Sequence, residues 1–216
     1  MRCAALPRSF FSASAEKVAP HLLGHWLIRR TSAGLSGGPI VEVEAYLHDD
    51  PACHSFGGKS ARNRVMWGEP GRAYVYLIYG YHFCFNAVCH EPGVAEAVLV
   101  RAIEPEFSET DMLGRRPVPD RRNLTNGPAK LCSALEIDRD LDGADLCEPL
   151  SEVFIARNPQ VNGFLRRRGP IITTTRIGIS KAAQLPLRFY LEKSLFVSKR
   201  KRVTAKISER GTNKCA

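Results

Sequence analysis

No stretch of this 216-residue sequence comes near the roughly twenty consecutive apolar residues that a membrane-spanning helix needs. Its first residues, Met1 to Ser14, lack the continuous apolar core of a secretory signal. The seven cysteines are an odd number, with no C-x-x-C pair and no Cys/His pair at zinc-ligand spacing. We expect them to be reduced, small apolar residues, and we expect no metal. No internal repeat or low-complexity linker divides the chain, so one domain is expected over residues 1–198, with a basic tail over 199–216. Acidic residues are the scarcer charge, 22 against 31 Lys and Arg, for a formal net charge of +9. Together these features predict a soluble, intracellular, cytoplasmic protein that favours a polyanion such as nucleic acid.

The surplus charge is uneven. Between Lys199 and Lys214 seven basic residues stand against one acidic residue, a net +6. Such a segment is either a solvated end or an arm that contacts DNA phosphates. Ahead of it the pattern reads α+β. A short helix is expected over Ser14 to Leu23, weakened by Pro20. Strands are expected over His25 to Arg30 and Pro39 to Tyr46 around a turn-rich Thr31 to Gly38. Ala73 to Ile78 and His82 to Val88 form a second pair around Tyr79-Gly80-Tyr81, and Ala95 to Ile103 follows. Short connections of this kind make the pairing antiparallel. Helices are expected over Ser108 to Arg116 and Pro128 to Leu135, the latter capped by Asn126. Later strands run from Ile171 to Thr175 and from Leu187 to Leu191. The sum is a single α+β domain with antiparallel strands and helices gathered elsewhere.

Chemistry enters at Ile40-Val-Glu-Val-Glu-Ala-Tyr46. Strand alternation sends Val41, Val43 and Ala45 to one face and Glu42, Glu44 and Tyr46 to the other. A carboxylate beside an aromatic suits activation of water next to a stacked base, although a wet outer face accounts for the same pattern. Downstream, Tyr79 and Tyr81 flank Gly80 at the hairpin tip, where an aromatic is hard to bury and is placed to wedge a base step apart. Asn86 interrupts an apolar strand and needs a partner if buried. Ala97 to Val100 is apolar and ends in Arg101, which shares a face with Leu99. That arginine either reaches solvent or pairs with a site carboxylate. His54 sits in a loop followed by Gly57 to Arg64, where Lys59, Arg62 and Arg64 suggest phosphate contact without full P-loop spacing.

These motifs, in this order, resemble the alkyladenine (3-methyladenine) DNA glycosylases. The resemblance rests on Val41 to Leu47, His54-Ser55, Arg62 to Arg64, Tyr76 to Gly80, Cys84 to Asn86, Leu99 to Pro105, Gly127 to Cys132, Arg176 to Gly178 and Leu187 to Tyr190, and runs from about Ser9 to Ser198. It implies a single mixed domain built on a curved antiparallel sheet with surrounding helices, and an enzyme that flips an alkylated or deaminated purine out of duplex DNA and hydrolyses its N-glycosidic bond. It also implies that Glu44 is the general base and that Arg101 helps hold the water with a main-chain carbonyl near Ile177. Tyr46, His54 and Tyr76 match the walls of the base pocket, which Leu99 also lines, and Asn86 matches its back, discriminating against guanine. Tyr79 matches the residue that replaces the flipped nucleotide. Tyr81, Lys59, Arg62, Arg64 and Lys130 are the expected DNA contacts, with Ala129 where a Gly or Ser is usual. The expected partner is double-stranded DNA carrying damaged purines, bound by a monomer without a cofactor. A non-catalytic nucleic-acid-binding domain explains the charge but leaves Glu44 and Arg101 without a purpose. No lysine stands in the strands around Glu44, so a Schiff-base lyase is not expected. The zinc signature of a base deaminase is absent.

Overall fold

Eight antiparallel strands make one curled sheet, ordered β3-β4-β5-β2-β1-β6, with β8 on β2 and β7 outside β8. The computed structural model describes residues 3–198, so the basic tail at 199–216 lies outside the described residues. The strands are β1 (Trp26–Thr31), β2 (Gly34–Tyr46), β3 (Ala73–Ile78), β4 (His82–Cys89), β5 (Glu96–Ile103), β6 (Val153–Ala156), β7 (Ile171–Thr174) and β8 (Arg188–Leu191). Helices α1 (Ala15–Leu22), α2 (Glu109–Arg115), α3 (Pro128–Leu135) and α4 (Val161–Arg168) surround them. The whole is a single α+β domain.

The main core lies on one face of the sheet. Helix α1 buries Ala15, Val18, Ala19 and Leu22, one stripe at helical spacing, and the buried Glu96 carboxylate accepts the Ala15 N–H at 2.8 Å. Val41, Val43 and Ala45 of β2 meet Val98, Val100 and Ala102 of β5 in this core, together with Leu131 and Leu135 of α3. A smaller cluster on the opposite face joins Cys53, Met66, Tyr74, Val88 and Ala97, with Tyr46, Trp67 and Tyr76 packed against it. The functional side chains stand on this second face.

Several elements differ from expectation. β2 begins at Gly34, so the stretch to Gly38 is strand and only the turn at its head is loop. Gly37 and Gly38 serve close backbone approach: a Cβ would stand 2.0 Å from the Leu27 carbonyl oxygen at Gly37 and 1.8 Å from that of Glu104 at Gly38. Gly127, not Asn126, occupies the N-cap of α3, and the Asn126 side chain instead accepts from Lys130 Nζ at 2.7 Å. β6 and α4 carry weak signals. The strand is a four-residue apolar run, and the helix contains a glycine, ends in three arginines and buries only Phe164. No helix among the described residues is long and apolar enough to cross a membrane.

Candidate active site

At its centre β2 is paired on both sides, with β5 and with β8, so Glu42 and Glu44 lie in the middle of the sheet. Neither has exposed surface, which removes the wet outer face that the alternation allowed. The register on either side would set Glu42 opposite Arg101. Instead Glu42 pairs with Ala102, leaving Val41 and Arg101 without Cα partners between the two strands. Irregularities of this kind re-aim side chains. Here the Arg101 guanidinium reaches both carboxylates, Nε to Glu42 Oε1 at 3.0 Å and Nη1 to Glu44 Oε2 at 3.1 Å. Burial opposes the Arg101 charge, but Glu44 and Glu42 outweigh it and raise its pKa.

Glu44 has two further donors. The Tyr46 hydroxyl gives a hydrogen bond to Oε2 at 2.9 Å and the Ile177 main-chain N–H one to Oε1 at 2.8 Å. At Ile177 it is therefore the amide that contacts Glu44. Burial, then the Glu44 charge, pushes the Tyr46 phenol well above its usual range, so it stays a protonated donor. Arg176 stacks over the Tyr46 ring at 4.6 Å, donates to the Ala45 carbonyl at 3.0 Å and forms a buried ion pair with Asp50.

Above this network opens a cavity of about 740 Å³. Tyr46, His54 and Tyr76 form its aromatic wall, and Asn86, Leu99, Arg101 and Ile177 line it too. His54 Nδ1 lies 2.9 Å from the Tyr74 hydroxyl and its ring meets Tyr76 edge-on at 4.4 Å. Burial against these rings, then the Arg62 charge, holds the His54 pKa down, favouring a neutral ring. Burial also raises the Tyr76 pKa, with Cys84 next, while the Cys84 thiol is pushed up to about 11. Asn86 finds its partner across the hairpin, donating to the Tyr74 carbonyl at 3.0 Å. The flat aromatic surfaces suit a stacked nucleobase, and the volume takes in more than the base alone.

The rim is basic. Arg62 sits over the Tyr76 ring at 5.5 Å, and Lys130 reaches the cavity from the first turn of α3. Arg62, Arg101 and Lys130 line the cavity with no carboxylate among the lining residues. Asn63 fixes the loop that carries Arg62, donating to the carbonyls of His54 and Gly58 at 2.9 Å each. Tyr79 also borders the cavity, 83 % exposed and with a left-handed φ of 50°. Tyr81, Lys59 and Arg64 are exposed and lie outside the lining. Glu44 lies behind the wall, in contact with three residues that form it. Sequence reasoning missed Tyr74, which shares a strand face with Tyr76, and it missed Arg188, whose Nε donates to Glu42 at 2.7 Å.

A family model described as methylpurine-DNA glycosylase matches residues 9–195 of the chain. A protein of Methanoculleus marisnigri is 47% identical over 196 residues, covering 90% of this chain and 99% of that one. A protein of Rhodopseudomonas palustris is 49% identical over 195 residues, covering 90% of each chain. One of Carboxydothermus hydrogenoformans is 44% identical over 195 residues, covering 90% of this chain and 99% of that one. All three bear the name "Putative 3-methyladenine DNA glycosylase".

Proposed function

The chain belongs to the methylpurine-DNA glycosylase family, and from that premise we propose that it excises alkylated or deaminated purines from duplex DNA in base-excision repair. The observation that carries the reading is a carboxylate–arginine pair, Glu44 and Arg101, at the wall of an aromatic-lined cavity with room for a nucleobase. The damaged base leaves the stack, enters between Tyr46 and the His54–Tyr76 side, and is checked against Asn86. Tyr79 fills the gap left in the duplex. Flipping costs a few kcal/mol, least where damage has weakened the pair, so the first selection is made before the pocket is reached.

Glu44 takes a proton from the water attacking C1′ as the C1′–N9 bond breaks, and it balances the positive charge of the oxocarbenium-like state. The bond's electron pair leaves with the purine, so a cationic alkylpurine departs neutral and a neutral lesion departs as the anion, protonated by water. Arg101 and the main chain at Ile177 hold that water. Glu44 Oε2 already accepts two bonds and Oε1 one, so water reaches the carboxylate at Oε1 or by displacing a donor from Oε2. The Tyr46 hydroxyl is the one tied neither to the backbone nor to a second carboxylate. Arg62 and Lys130 take the flanking phosphates, with Lys59, Arg64 and Tyr81 further out. The basic segment 199–216 adds phosphate contacts, so its removal flattens the salt dependence of binding.

The enzyme acts as a monomer and is monofunctional, leaving an intact abasic site. Lys130 lines the cavity, which makes it the amine that a Schiff base would use. Duplexes carrying 3-methyladenine, 7-methylguanine, hypoxanthine or ethenoadenine test the proposal directly. Base release should occur, with strand breakage only after alkali. No release from any of them sinks the activity, and a borohydride-trapped adduct sinks the monofunctional reading.

A further inference from the structure

We propose that Glu42 is a positioning residue that holds Arg101 in the orientation the reaction uses; this rests on the reading of Glu44 and Arg101 given above. Glu42 is the less suited of the two carboxylates to act as the base. Of its donors only Arg101 lines the cavity, whereas the three donors to Glu44, Tyr46, Arg101 and Ile177, all line it. Glu42 Oε1 accepts from Arg101 Nε at 3.0 Å, Arg188 Nε at 2.7 Å and Ser198 Oγ at 2.8 Å, while Oε2 accepts from the Ser198 N–H at 2.6 Å. Three donors on Oε1 and a backbone N–H on Oε2 commit this carboxylate to the interior of the sheet.

What it has is a hold on Arg101. The irregular pairing leaves Arg101 without a Cα partner on β2, so its side-chain contacts fix its direction. Each nitrogen has a different partner: Nε meets Glu42, Nη1 meets Glu44, and Nη2 meets Ser198 Oγ at 3.4 Å. Arg101 thus offers Glu44 one N–H, not the two-pronged fork that guanidinium groups favour with a lone carboxylate. Glu42 prevents that fork. It also balances charge, since two carboxylates and the Arg101 and Arg188 guanidinium groups make a neutral set across β5, β2 and β8. Without Glu42, Arg101 swings onto Glu44 with both Nη groups. It then occupies the oxygens that water must reach and withdraws from the cavity.

The test separates this from a structural role by comparing chemistry with binding. Glu42→Gln should slow single-turnover release of hypoxanthine from a duplex by ~10- to 100-fold, less than loss of the base itself. Affinity for a duplex carrying an uncleavable abasic analogue should stay within about threefold of wild type, because the rim is untouched. The Glu42→Gln/Arg101→Gln double variant should release base no more slowly than Arg101→Gln alone, because both changes remove one interaction. Glu42→Asp keeps the charge and folds if Glu42→Gln does not; its smaller defect should likewise vanish in the Arg101→Gln background. A wild-type rate in Glu42→Gln or Glu42→Asp, or defects that multiply with Arg101→Gln, overturns the role of Glu42. A wild-type rate in Glu44→Gln overturns the underlying reading of the site instead, so the two failures are distinct.

Discussion

Tyr46 turns its phenol hydroxyl back along its own strand onto Glu44 Oε2, 2.9 Å away. With Arg101 on the same oxygen and the Ile177 N–H on the other, the carboxylate is held by three donors at the wall of the cavity. Glu44→Gln keeps the shape of this arrangement and removes the proton acceptor. Base release in single turnover should fall by ~10²- to 10⁴-fold while lesion DNA still binds, since the basic rim is unchanged. Near-normal release would take Glu44 out of the chemistry.

Tyr79→Ala should leave the fold alone and impair extrusion. The ring is 83 % exposed at the hairpin tip, so melting should shift by no more than ~0.5 kcal/mol of stability. On DNA, loss of the plug favours the stacked-in base. Fluorescence that reports flipping should drop, and the defect should shrink when the lesion lies in a mismatch. Tyr76→Ala removes a cavity wall and should not be rescued by mismatch. Unaltered flipping in Tyr79→Ala would contradict the wedge.

Arg176→Met should be among the more destabilising single changes. Its guanidinium pairs with Asp50 deep in the protein and also holds the Ala45 carbonyl at 3.0 Å. Leaving a buried carboxylate uncompensated costs about 3–5 kcal/mol, measured by urea unfolding. Adding Asp50→Asn should recover part of the loss. If Arg176→Met alone melts like wild type, the pair does not support the site.

His25 gives the fold an acid sensitivity apart from the site. Burial, then the Arg157 and His21 charges, lowers its pKa to about 4, and its Nδ1 accepts the Asn158 N–H at 3.2 Å. The unfolded chain binds this proton near the ordinary value of about 6.5, so between about 6.5 and 4 it holds more protons than the folded chain. Stability from this group is therefore complete above that window and falls as pH drops through it. From pH 7 to pH 5 the loss should be about 2 kcal/mol in urea titrations, and His25→Gln should abolish that component. Equal pH slopes in the two proteins would clear His25.

What the sequence made legible was local. A period of two set Glu44 and Tyr46 on one face, and Gly80 between tyrosines marked an exposed hairpin tip. What it left hidden depends on contacts between distant segments. Alternation put Glu42 beside Glu44, but its seal comes from Arg188 and Ser198, 146 and 156 residues away. Arg176 reaches Asp50 across 126 residues. Gly37 and Gly38 look like turn residues until β1 and the chain after β5 press against them. β6 and α4 had too little apolar periodicity to stand out, and tertiary packing made them what they are.

Because neither Glu42 nor Glu44 has any exposed surface, the free protein hides both carboxylates from reagents dissolved in the surrounding water. A water-soluble carbodiimide with a small amine should tag the surface carboxylates and leave these two blank in peptide mass spectra. The same shield protects them from stray electrophiles, including the alkylating agents that damage DNA. Any tag that arrives on Glu44 only when lesion DNA is present would date the opening of the wall.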